Sequence, residues 1–412
     1  MVNIAIMGHG VVGSGVAEVL IKNGEHIAQK VKNKINIKYI LDLRDFPGLS
    51  YSELFIKDFE KILNDPEVAV VAEVMGGLHP AYEFTKQCLQ NGKSVVTSNK
   101  ELVACHGAEL LRIAEENNVN YLFEASVGGG IPVLRPMAQC LAANDLYEVQ
   151  GILNGTTNFI MAKMVSDGLG FDEALRLAQE LGYAEKDPTA DIEGHDACRK
   201  ICILAALAFG KHVYPESVHT EGITKITPAD TAYADFADCV IKLIGKAKLL
   251  DDKKCCITVY PAFVSKDNQL SHVDDVFNAV TVRGDAIGDV MFYGRGAGKL
   301  PTASAVVADI IDCVKHLKAR KYLSWEDGDS TYIADYMKDT VRMYVRLRSA
   351  IDSGDARAQA EKLFGEIKLL GRNGEEPNEL AFITPYASEE TIRSRLDDLK
   401  DCEILSTLRL LD

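Results

Sequence analysis

The feature that most constrains the fold of this chain is the glycine-rich hexapeptide "GHGVVG", which lies between the apolar run "NIAIM" and a helical pattern. Gly8, Gly10 and Gly13 have the GxGxxG spacing of loops that bind a dinucleotide between a strand and a helix. In such a loop the first glycine permits the turn, the second lets a pyrophosphate approach the backbone, and the third lets helix and strand pack closely. The N-terminal end of the helix also attracts phosphate. We therefore predict a dinucleotide-binding domain, with a structural turn that binds no ligand as the alternative.

The same alternation of strand and helix continues through the first 130 residues. Apolar runs such as "VAVVAEVM" and "SVVTS" are typical of strands buried on both faces, and amphipathic segments follow them. This pattern predicts an α/β fold with a Rossmann-type, doubly wound N-terminal domain. From about Leu146 the pattern changes to strands interleaved with long helices, which predicts a second α/β domain on a more open, mixed sheet. The predicted domains are residues 1–135, residues 136–320 with a helix at 303–320 that returns to the first domain, and a small α+β module at 338–412.

Composition limits the partners of the chain. Its 412 residues carry a formal net charge of −15 and no run of Lys or Arg, which argues against nucleic acid and acidic membrane surfaces. No stretch reaches the roughly 18 apolar residues of a membrane span, so we predict no membrane association and a location in the cytoplasm. The ten cysteines lack CxxC or Cys/His spacing, which argues against a zinc site or a disulfide framework.

The end of the second predicted strand, "YILDLRD", is the position that distinguishes nicotinamide cofactors. Asp42 would accept a hydrogen bond from the 2′-hydroxyl of NAD, whereas Arg44 would bind the 2′-phosphate of NADP. The sequence leaves both cofactors open.

Other strand ends and turns carry weaker signals. Thr97 lies at the end of the strand "SVVTS" and Lys100 follows it, at the sheet edge where ligands of parallel sheets bind. For Lys100, a lysine that opens a helix on the surface is as good an interpretation. The turn "EASVGGGIPV" could hold substrate or a hard cation through backbone oxygens, or form a hinge. The loop "GRGAGKLPTASAVVADI" could cap a phosphate or ribose, or form a structural turn.

A charged stretch, "EKDPTADIEGHDACRK", stands directly before the apolar helix "ICILAALAF". Asp196 and Lys200 are one helical turn apart with the acid first, which favours an ion pair. One interpretation is a surface salt bridge that contributes about 0 to 1 kcal/mol. The other is a lysine whose surroundings allow it to give or take a proton near neutral pH.

Six motifs together resemble those of homoserine dehydrogenases, in the same order and spacing over residues 1 to about 320. They are "GHGVVG", "VVTSNK", "EASVGGGIP", "ILNGTTNFI", "LGYAEKDPTADIEGHDACRKICIL" and "GRGAGKLPTASAVVADI". The resemblance implies an NAD(P)-dependent oxidoreductase of threonine and methionine biosynthesis that interconverts L-homoserine and L-aspartate 4-semialdehyde.

The resemblance also implies roles for individual residues. Lys200 matches the proton donor and acceptor, Lys100 a second lysine near cofactor and substrate, and Asp196 an acid that orients the lysine. Substrate binding is implied for Glu185, which would hold the amino group, and for Asp191 and Gly182. The predicted cofactor-binding residues are Gly8, Gly10, Val11, Val12, Gly13, Arg44, Thr97, Lys100 and Gly296. A monovalent cation, Na⁺ or K⁺, is implied at Glu124, Val127, Gly129 and Ile131, mostly through backbone atoms.

The segment 338–412 resembles the ACT-type modules through which threonine inhibits such enzymes. Its first strand leads into "AIDSGDARAQAEKL", where the family's binding turn usually has a Pro-Gly pair. A module that pairs subunits without binding an effector is therefore the alternative. The resemblance further implies a homodimer or homotetramer.

Two other functions compete with this one. A regulatory protein could bind cofactor and an amino acid without turnover, although the presence of both Lys100 and Lys200 argues against it. A dehydrogenase of a different amino-acid semialdehyde is the second alternative.

Overall fold

The computed structural model describes residues 1–319, 323–329 and 331–411. Within these residues the chain forms two compact units. Unit 1 comprises residues 1–149, 202–216 and 280–329, and unit 2 comprises residues 150–201, 217–279 and 330–412. The chain therefore crosses from one unit to the other several times.

The helices and strands are defined here in chain order. The strands are β1 (Val2–Met7), β2 (Ile35–Leu41), β3 (Phe55–Ile56), β4 (Val68–Glu73), β5 (Ser94–Thr97), β6 (Tyr121–Leu122), β7 (Leu146–Ile152), β8 (His219–Thr220), β9 (Cys239–Leu249), β10 (Cys255–Ser265), β11 (Phe277–Gly284), β12 (Gly288–Arg295), β13 (Thr340–Val341), β14 (Met343–Ser349), β15 (Lys368–Leu370), β16 (Glu379–Ile383), β17 (Ala387–Ser388) and β18 (Cys402–Leu411). The helices are α1 (Val11–Lys22), α2 (Gly24–Val31), α3 (Glu60–Leu63), α4 (Ala81–Gln90), α5 (Lys100–Glu116), α6 (Leu134–Gln139), α7 (Gly155–Ser166), α8 (Phe171–Glu180), α9 (Thr189–Ile192), α10 (His195–Phe209), α11 (Pro228–Phe236), α12 (Lys299–Lys315), α13 (Ser353–Phe364) and α14 (Glu389–Asp397).

Unit 1 is built on a six-stranded sheet in the order β3-β2-β1-β4-β5-β6. Every pair in this sheet is parallel. Strand order 3-2-1-4-5-6 with helical connections is that of the Rossmann fold. The Rossmann-type domain predicted from the apolar runs is therefore present. Its strands are buried, with Ile4, Ile6 and Val70 fully inaccessible to solvent, as expected for a sheet covered on both faces.

Helix α12 belongs to the core of unit 1. Its Ala303, Val306 and Ile310 pack in the same apolar cluster as Val16 of α1 and Ile4 of β1. The helix begins at Lys299, four residues before the predicted start, and ends at Lys315. Residue 320, the predicted end of this helix, lies outside the described residues, as does residue 412 at the end of the predicted C-terminal module.

Unit 2 contains a mixed sheet in which the order β9-β10-β18-β14-β16-β15 can be followed without a break. Strands β9 and β10 are antiparallel over eleven residue pairs, whereas β18 pairs with β10 in parallel. The segment 338–412 contributes β14, α13, β15, β16, α14 and β18 in a βαββαβ sequence. The sheet of this C-terminal segment is thus continuous with β9 and β10. The sequence prediction, which treated the segment as a small separate module, did not include this pairing.

Buried polar contacts fasten the C-terminal segment to the rest of unit 2. Arg346 of β14 donates through Nε to Asp230 Oδ1 of α11 at 3.1 Å, and the Tyr344 hydroxyl donates to the same oxygen at 3.0 Å. Asp230 also closes a capping box with Thr227 at the start of α11. Because these polar groups are withdrawn from solvent, their mutual hydrogen bonds satisfy groups that would otherwise destabilise the fold.

Candidate active site

The three glycines of the loop between β1 and α1 have different surroundings. Gly8 has φ +98°, and a Cβ there would lie 2.9 Å from Met75 Cα. A Cβ on Gly13 would lie only 2.0 Å from the Gly8 carbonyl oxygen. A Cβ on Gly10, in contrast, would meet no atom within 4 Å. Contacts inside the protein therefore account for the first and third glycines, and the second borders open space.

That open space fits a phosphate group. Gly10 is the N-cap of α1 and has no side chain to cap the helix, and the first turn contains no acidic residue. The N–H groups of this turn, including those of Val11 and Val12, would provide donors to a pyrophosphate next to the positive end of the helix dipole. The loop thus has the shape and the donors that a dinucleotide requires.

Beside this loop lies a cavity of about 410 Å³ that includes both residues predicted to distinguish the cofactors. Asp42 accepts the His9 backbone N–H at 2.8 Å, and Arg44 Nε donates to Asp42 Oδ1 at 3.0 Å. The bonds from the Arg44 guanidinium hold the pKa of the Asp42 carboxyl well below its usual range. Phe59 and Phe84 supply apolar lining to the same cavity. The two candidate ribose contacts therefore form one ion pair at the mouth of one cavity.

The carboxyl ends of β4 and β5 are joined by side chains. The Thr97 hydroxyl donates to Glu73 Oε2 at 2.6 Å and accepts the Asn99 N–H at 2.9 Å. Burial raises the pKa of Glu73, which is completely buried. Because the Thr97 hydroxyl is occupied within the protein, any contact of Thr97 with a cofactor would be made by its backbone. Lys100 is the first residue of α5 and is half-buried.

The two glycine-rich turns of unit 1 lie against each other. A Cβ on Gly129 would be 2.4 Å from the Gly296 carbonyl oxygen, and Gly130 N–H donates to Arg295 O at 3.2 Å. Gly129 also has φ +55°, a conformation that favours glycine. The sequence interpretation treated these turns separately. The structure shows that Gly129 is needed for their close approach.

Glu124, predicted at a cation site, is buried and held by backbone groups. Its carboxylate accepts the N–H groups of Val133, Leu134 and Arg135 at 2.6 to 2.9 Å, and its own N–H donates to Asp309 at 2.8 Å. Among the described residues there is no group of three or more His, Cys, Asp or Glu side chains that could hold a metal ion. A cation near this turn would therefore depend on backbone oxygens, as for Val127 and Ile131, which are buried apolar residues.

In unit 2, the charged stretch places Lys200 inside the protein. The residue is 8% exposed, and Nζ donates to Asp196 Oδ2 at 2.6 Å and to the Leu153 carbonyl oxygen at 2.8 Å. Asp196 is itself 3% exposed. The surface salt bridge considered from the sequence is therefore wrong. Burial and a neighbouring carboxylate are the two conditions that change the proton affinity of a lysine.

Asn154 also belongs to this site, although the sequence interpretation gave it no role. Its Nδ2 donates to Asp191 Oδ1 at 2.6 Å and to Asp196 Oδ2 at 2.8 Å. Two sequence signals could have identified it: it follows the apolar strand β7, and an asparagine before a helix is a typical N-cap.

Two other predicted substrate-binding residues lie on the surface. Glu185 and Gly182 are exposed and follow α8, and Gly182 has φ +76°. The Glu185 carbonyl oxygen accepts from Gln179 Nε2 at 3.1 Å. Their predicted contact with an amino group stays a prediction.

A dinucleotide loop on a parallel sheet with the strand order 3-2-1-4-5-6 is typical of nicotinamide-dependent dehydrogenases. Comparisons with known proteins identify the family within this class. Residues 8–124 match the family model "Homoserine dehydrogenase, NAD binding domain", and residues 132–311 match the model "Homoserine dehydrogenase". A homoserine dehydrogenase of Bacillus subtilis is 34% identical over 99% of this chain and 97% of its own length.

Solved structures agree. A homoserine dehydrogenase of Thiobacillus denitrificans has a TM-score of 0.90 and 33% identity over 100% of this chain and 98% of its own. A hyperthermophilic archaeal homoserine dehydrogenase mutant in complex with NADPH has a TM-score of 0.65 and 30% identity, covering 76% and 97% of the two chains. This chain belongs to the homoserine dehydrogenase family and is an NAD(P)-dependent oxidoreductase. No helix among the described residues is long and apolar enough to cross a membrane.

Proposed function

We propose that this chain catalyses the reversible NAD(P)-dependent interconversion of L-homoserine and L-aspartate 4-semialdehyde, with Lys200 as the group that accepts and donates the proton. Family membership supports the reaction. The observation that carries the role of Lys200 is its buried ammonium, 2.6 Å from Asp196 and 2.8 Å from the Leu153 carbonyl oxygen.

The proton balance explains why a lysine suits this position. Oxidation of the alcohol transfers a hydride from carbon to the nicotinamide ring, which is the chemistry that the cofactor supplies when bound. The hydroxyl proton goes to the neutral amine of Lys200. In the reductive direction, the protonated lysine stabilises the negative charge that develops on the aldehyde oxygen and then releases its proton to it.

The acids around Lys200 divide the remaining work. Asp196 orients the ammonium by direct contact, and Asp191 is linked to Asp196 through Asn154. Glu185 would bind the substrate ammonium, since a zwitterionic amino acid requires an anionic partner and Glu185 is an exposed carboxylate. Lys100, at the carboxyl edge of the parallel sheet, would contact cofactor and substrate.

In unit 1, the cofactor would be held by the first turn of α1, by Gly10 at the pyrophosphate, and by Asp42 or Arg44 at the ribose. Gly296 would add a contact from the second glycine-rich turn. We also propose a monovalent cation, Na⁺ or K⁺, at the backbone of Glu124, Val127, Gly129 and Ile131. Carbonyl oxygens suit such a hard cation.

The C-terminal segment supports a finer proposal. Its strands lie in the order β18-β14-β16-β15, so the βαββαβ sequence pairs its fourth strand with its first and its third with its second. This arrangement supports an ACT-like module. After β14, Asp352 caps α13 by accepting the Gly354 N–H at 2.8 Å, at the turn where the family usually has Pro-Gly. The test is to add threonine at millimolar concentration. Inhibition or a raised melting temperature supports an effector site, and the absence of both effects contradicts one.

We further propose a homodimer or homotetramer. In unit 1, β12 pairs with β11 at the edge of a sheet separate from the six-stranded one, and it carries Tyr293 with 55% of its surface exposed. Ile287 beside it is 46% exposed. Exposed apolar side chains on an edge strand are typical of an interface. Light scattering after size-exclusion chromatography measures the mass, and a monomer at micromolar concentration contradicts the proposal.

The experiment that tests the function is a spectrophotometric assay at 340 nm with L-homoserine and each oxidised cofactor. We expect reduced cofactor to form with L-homoserine and not with L-serine at the same concentration. The reverse reaction, with aspartate semialdehyde as substrate, should consume reduced cofactor. Cofactor binding without turnover in either direction would favour the regulatory alternative, and turnover only with another amino alcohol would change the substrate.

A further inference from the structure

The motif "ILNGTTNFI" places one atom against Lys200 and one side chain against the acids beside it. The Leu153 carbonyl oxygen accepts directly from Nζ at 2.8 Å. The next residue, Asn154, is 5% exposed and bonds to both acids of the site, at 2.6 Å to Asp191 and 2.8 Å to Asp196. The end of β7 therefore touches the lysine and its acidic partners at once.

The chemistry of the amide fixes how Asn154 is oriented. Its Oδ1 accepts the Thr157 backbone N–H at 2.8 Å and so caps α7. A backbone N–H can only donate, so the oxygen of the amide must face α7 and the nitrogen must face the acids. The Nδ2 group has two hydrogen atoms, and each has one carboxylate oxygen as its acceptor. Rotation of the amide by half a turn would place its oxygen against two carboxylates and its N–H groups against a donor.

Asp196 Oδ2 is the atom where these contacts converge. It accepts from Lys200 Nζ at 2.6 Å and from Asn154 Nδ2 at 2.8 Å. A second donor on the same oxygen withdraws negative charge from it, so the carboxylate attracts the lysine proton less strongly. The amide also holds two like charges, Asp191 and Asp196, at one fixed separation, which their repulsion would otherwise increase.

From this geometry we propose that Asn154 is a positioning residue for the reaction: its amide holds Asp191 and Asp196 around Lys200 and keeps the lysine able to exchange its proton. The inference rests on the proposed role of Lys200. Asn154 itself need not touch the substrate.

The chain offers a matched control one helical turn further on. Asn158 is 1% exposed, and its Nδ2 donates to the carbonyl oxygens of Val273, Asp275 and Phe277 at 2.9 to 3.2 Å. Both asparagines are thus buried on α7 and fully used as donors. Of the two, Asn154 donates to carboxylates, whereas Asn158 donates to backbone carbonyl oxygens and accepts from Lys242 Nζ at 3.2 Å.

The test compares Asn154→Ser with Asn158→Ser in the full-length protein. Serine at position 154 keeps a capping oxygen for α7 but cannot reach both carboxylates. We expect kcat for homoserine oxidation to fall about 10-fold or more, as for loss of help to a general base. The midpoint of the acid limb of the kcat profile should also rise by about half a pH unit or more, because Asp196 holds the lysine proton more firmly. NADPH binding, followed by fluorescence, should stay near wild type.

Asn158→Ser should lower the melting temperature and leave the midpoint of that limb where it is in the wild type. If Asn154→Ser behaves in the same way, the residue is structural and the proposal is overturned; unchanged kcat and an unchanged limb overturn it too. Should Asn154→Ser not fold, Asn154→Thr gives the same readouts, since threonine also retains a capping oxygen, lacks the amide donors and adds no charge. Lys200→Met separates the two proposals: if it retains turnover, the role of Lys200 fails, whereas a dead Lys200→Met beside a wild-type profile for Asn154→Ser removes only the role of Asn154.

Discussion

Two of the buried pairs of cation and carboxylate in unit 2 use different cations. Lys200 contacts Asp196 with one nitrogen at 2.6 Å. Arg409 of β18 contacts Glu389 with two nitrogens at 2.7 and 2.6 Å and adds Glu221 at 2.8 Å. Both cations are withdrawn from solvent, at 8% and 3% exposure. In both pairs a buried cation contacts a buried carboxylate. The pairs differ in whether that cation can release a proton.

The difference between the two cations matches the structural role of Arg409 and the role proposed for Lys200. Burial alone would lower the pKa of Arg409, but the bonds to Glu389 and Glu221 outweigh it and raise the pKa further above its usual value. A guanidinium stays charged at any working pH, and its planar fork suits two acids at once. An ammonium makes fewer fixed bonds and loses its proton more readily. Arginine thus suits a permanent junction of the C-terminal segment, whereas the role proposed for Lys200 requires a cation that can lose its proton.

The largest effect is expected at the arginine pair. Arg409→Met leaves the buried Glu389 with only the partly exposed Arg393 as a cation, and loss of one partner of a buried pair destabilises by about 3–5 kcal/mol. Urea denaturation measures this free energy of unfolding. The control is Arg348→Met on the neighbouring strand, whose side chain is 44% exposed and whose ion pairs are long, at 3.4 and 3.5 Å. We expect it to cost about 1 kcal/mol or less. Equal losses in the two variants would show that burial of the pair does not matter.

Substitutions of Lys200 should change the rate of catalysis. Lys200→Ala is expected to lower kcat by roughly 10²-fold or more, since it removes the general acid and base. Lys200→Arg should be almost as slow, because arginine retains the charge and cannot release the proton. Lys242→Ala is the matched control: this lysine is also buried, at 3% exposure, and it too donates to a carbonyl oxygen, that of Val273 at 2.6 Å, and to a carboxylate, that of Asp274 at 3.1 Å, but the proposed reaction gives it no role. It should lower stability and not the chemical step. An active Lys200→Arg enzyme would end the distinction between the two cations.

A smaller effect is expected at the exposed acid of the site. Glu185→Gln should raise the KM for homoserine about 10-fold, roughly the loss of one charge-assisted hydrogen bond to the substrate ammonium, with kcat little changed. Steady-state kinetics measures both constants. Glu180→Gln removes a carboxylate from the adjoining helix that is 65% exposed, and we expect no change in KM. If both variants bind homoserine like the wild type, another group holds the ammonium.

The smallest effect concerns pH and the arginine pair. Burial would raise the pKa of Glu221, but bonds from His219 and Arg409 outweigh it and lower the pKa to about 2. The unfolded chain therefore binds the proton first on acidification, so this contribution is complete above pH 4.5, the ordinary value, and is lost as the pH falls towards 2. The free energy of unfolding should fall across this window in the wild type. Arg409→Met should show a shallower fall, and the same slope in both proteins would contradict the link.

Much of the fold was predictable because its signals are local. The GxGxxG spacing and the apolar runs identified the parallel sheet, and the four-residue separation of Asp196 and Lys200 identified their ion pair. The sequence interpretation missed β9 and β11. In β9, Lys242 resembles a surface residue by type, yet the tertiary structure buries it against Asn158 and Val273. A buried lysine of this kind interrupts the apolar pattern that identifies a core strand.

The sequence by itself determined the dinucleotide loop and the pair on α10, because a strand–turn–helix and a helical turn are set by neighbouring residues. Only the tertiary structure decided what surrounds the pair. It brings the Leu153 carbonyl oxygen to Lys200 across 47 residues and the Asn154 amide to Asp196 across 42. It also brings Arg409 to Glu221 across 188 residues. No local period encodes such contacts, since they depend on which strands pair and where each one ends.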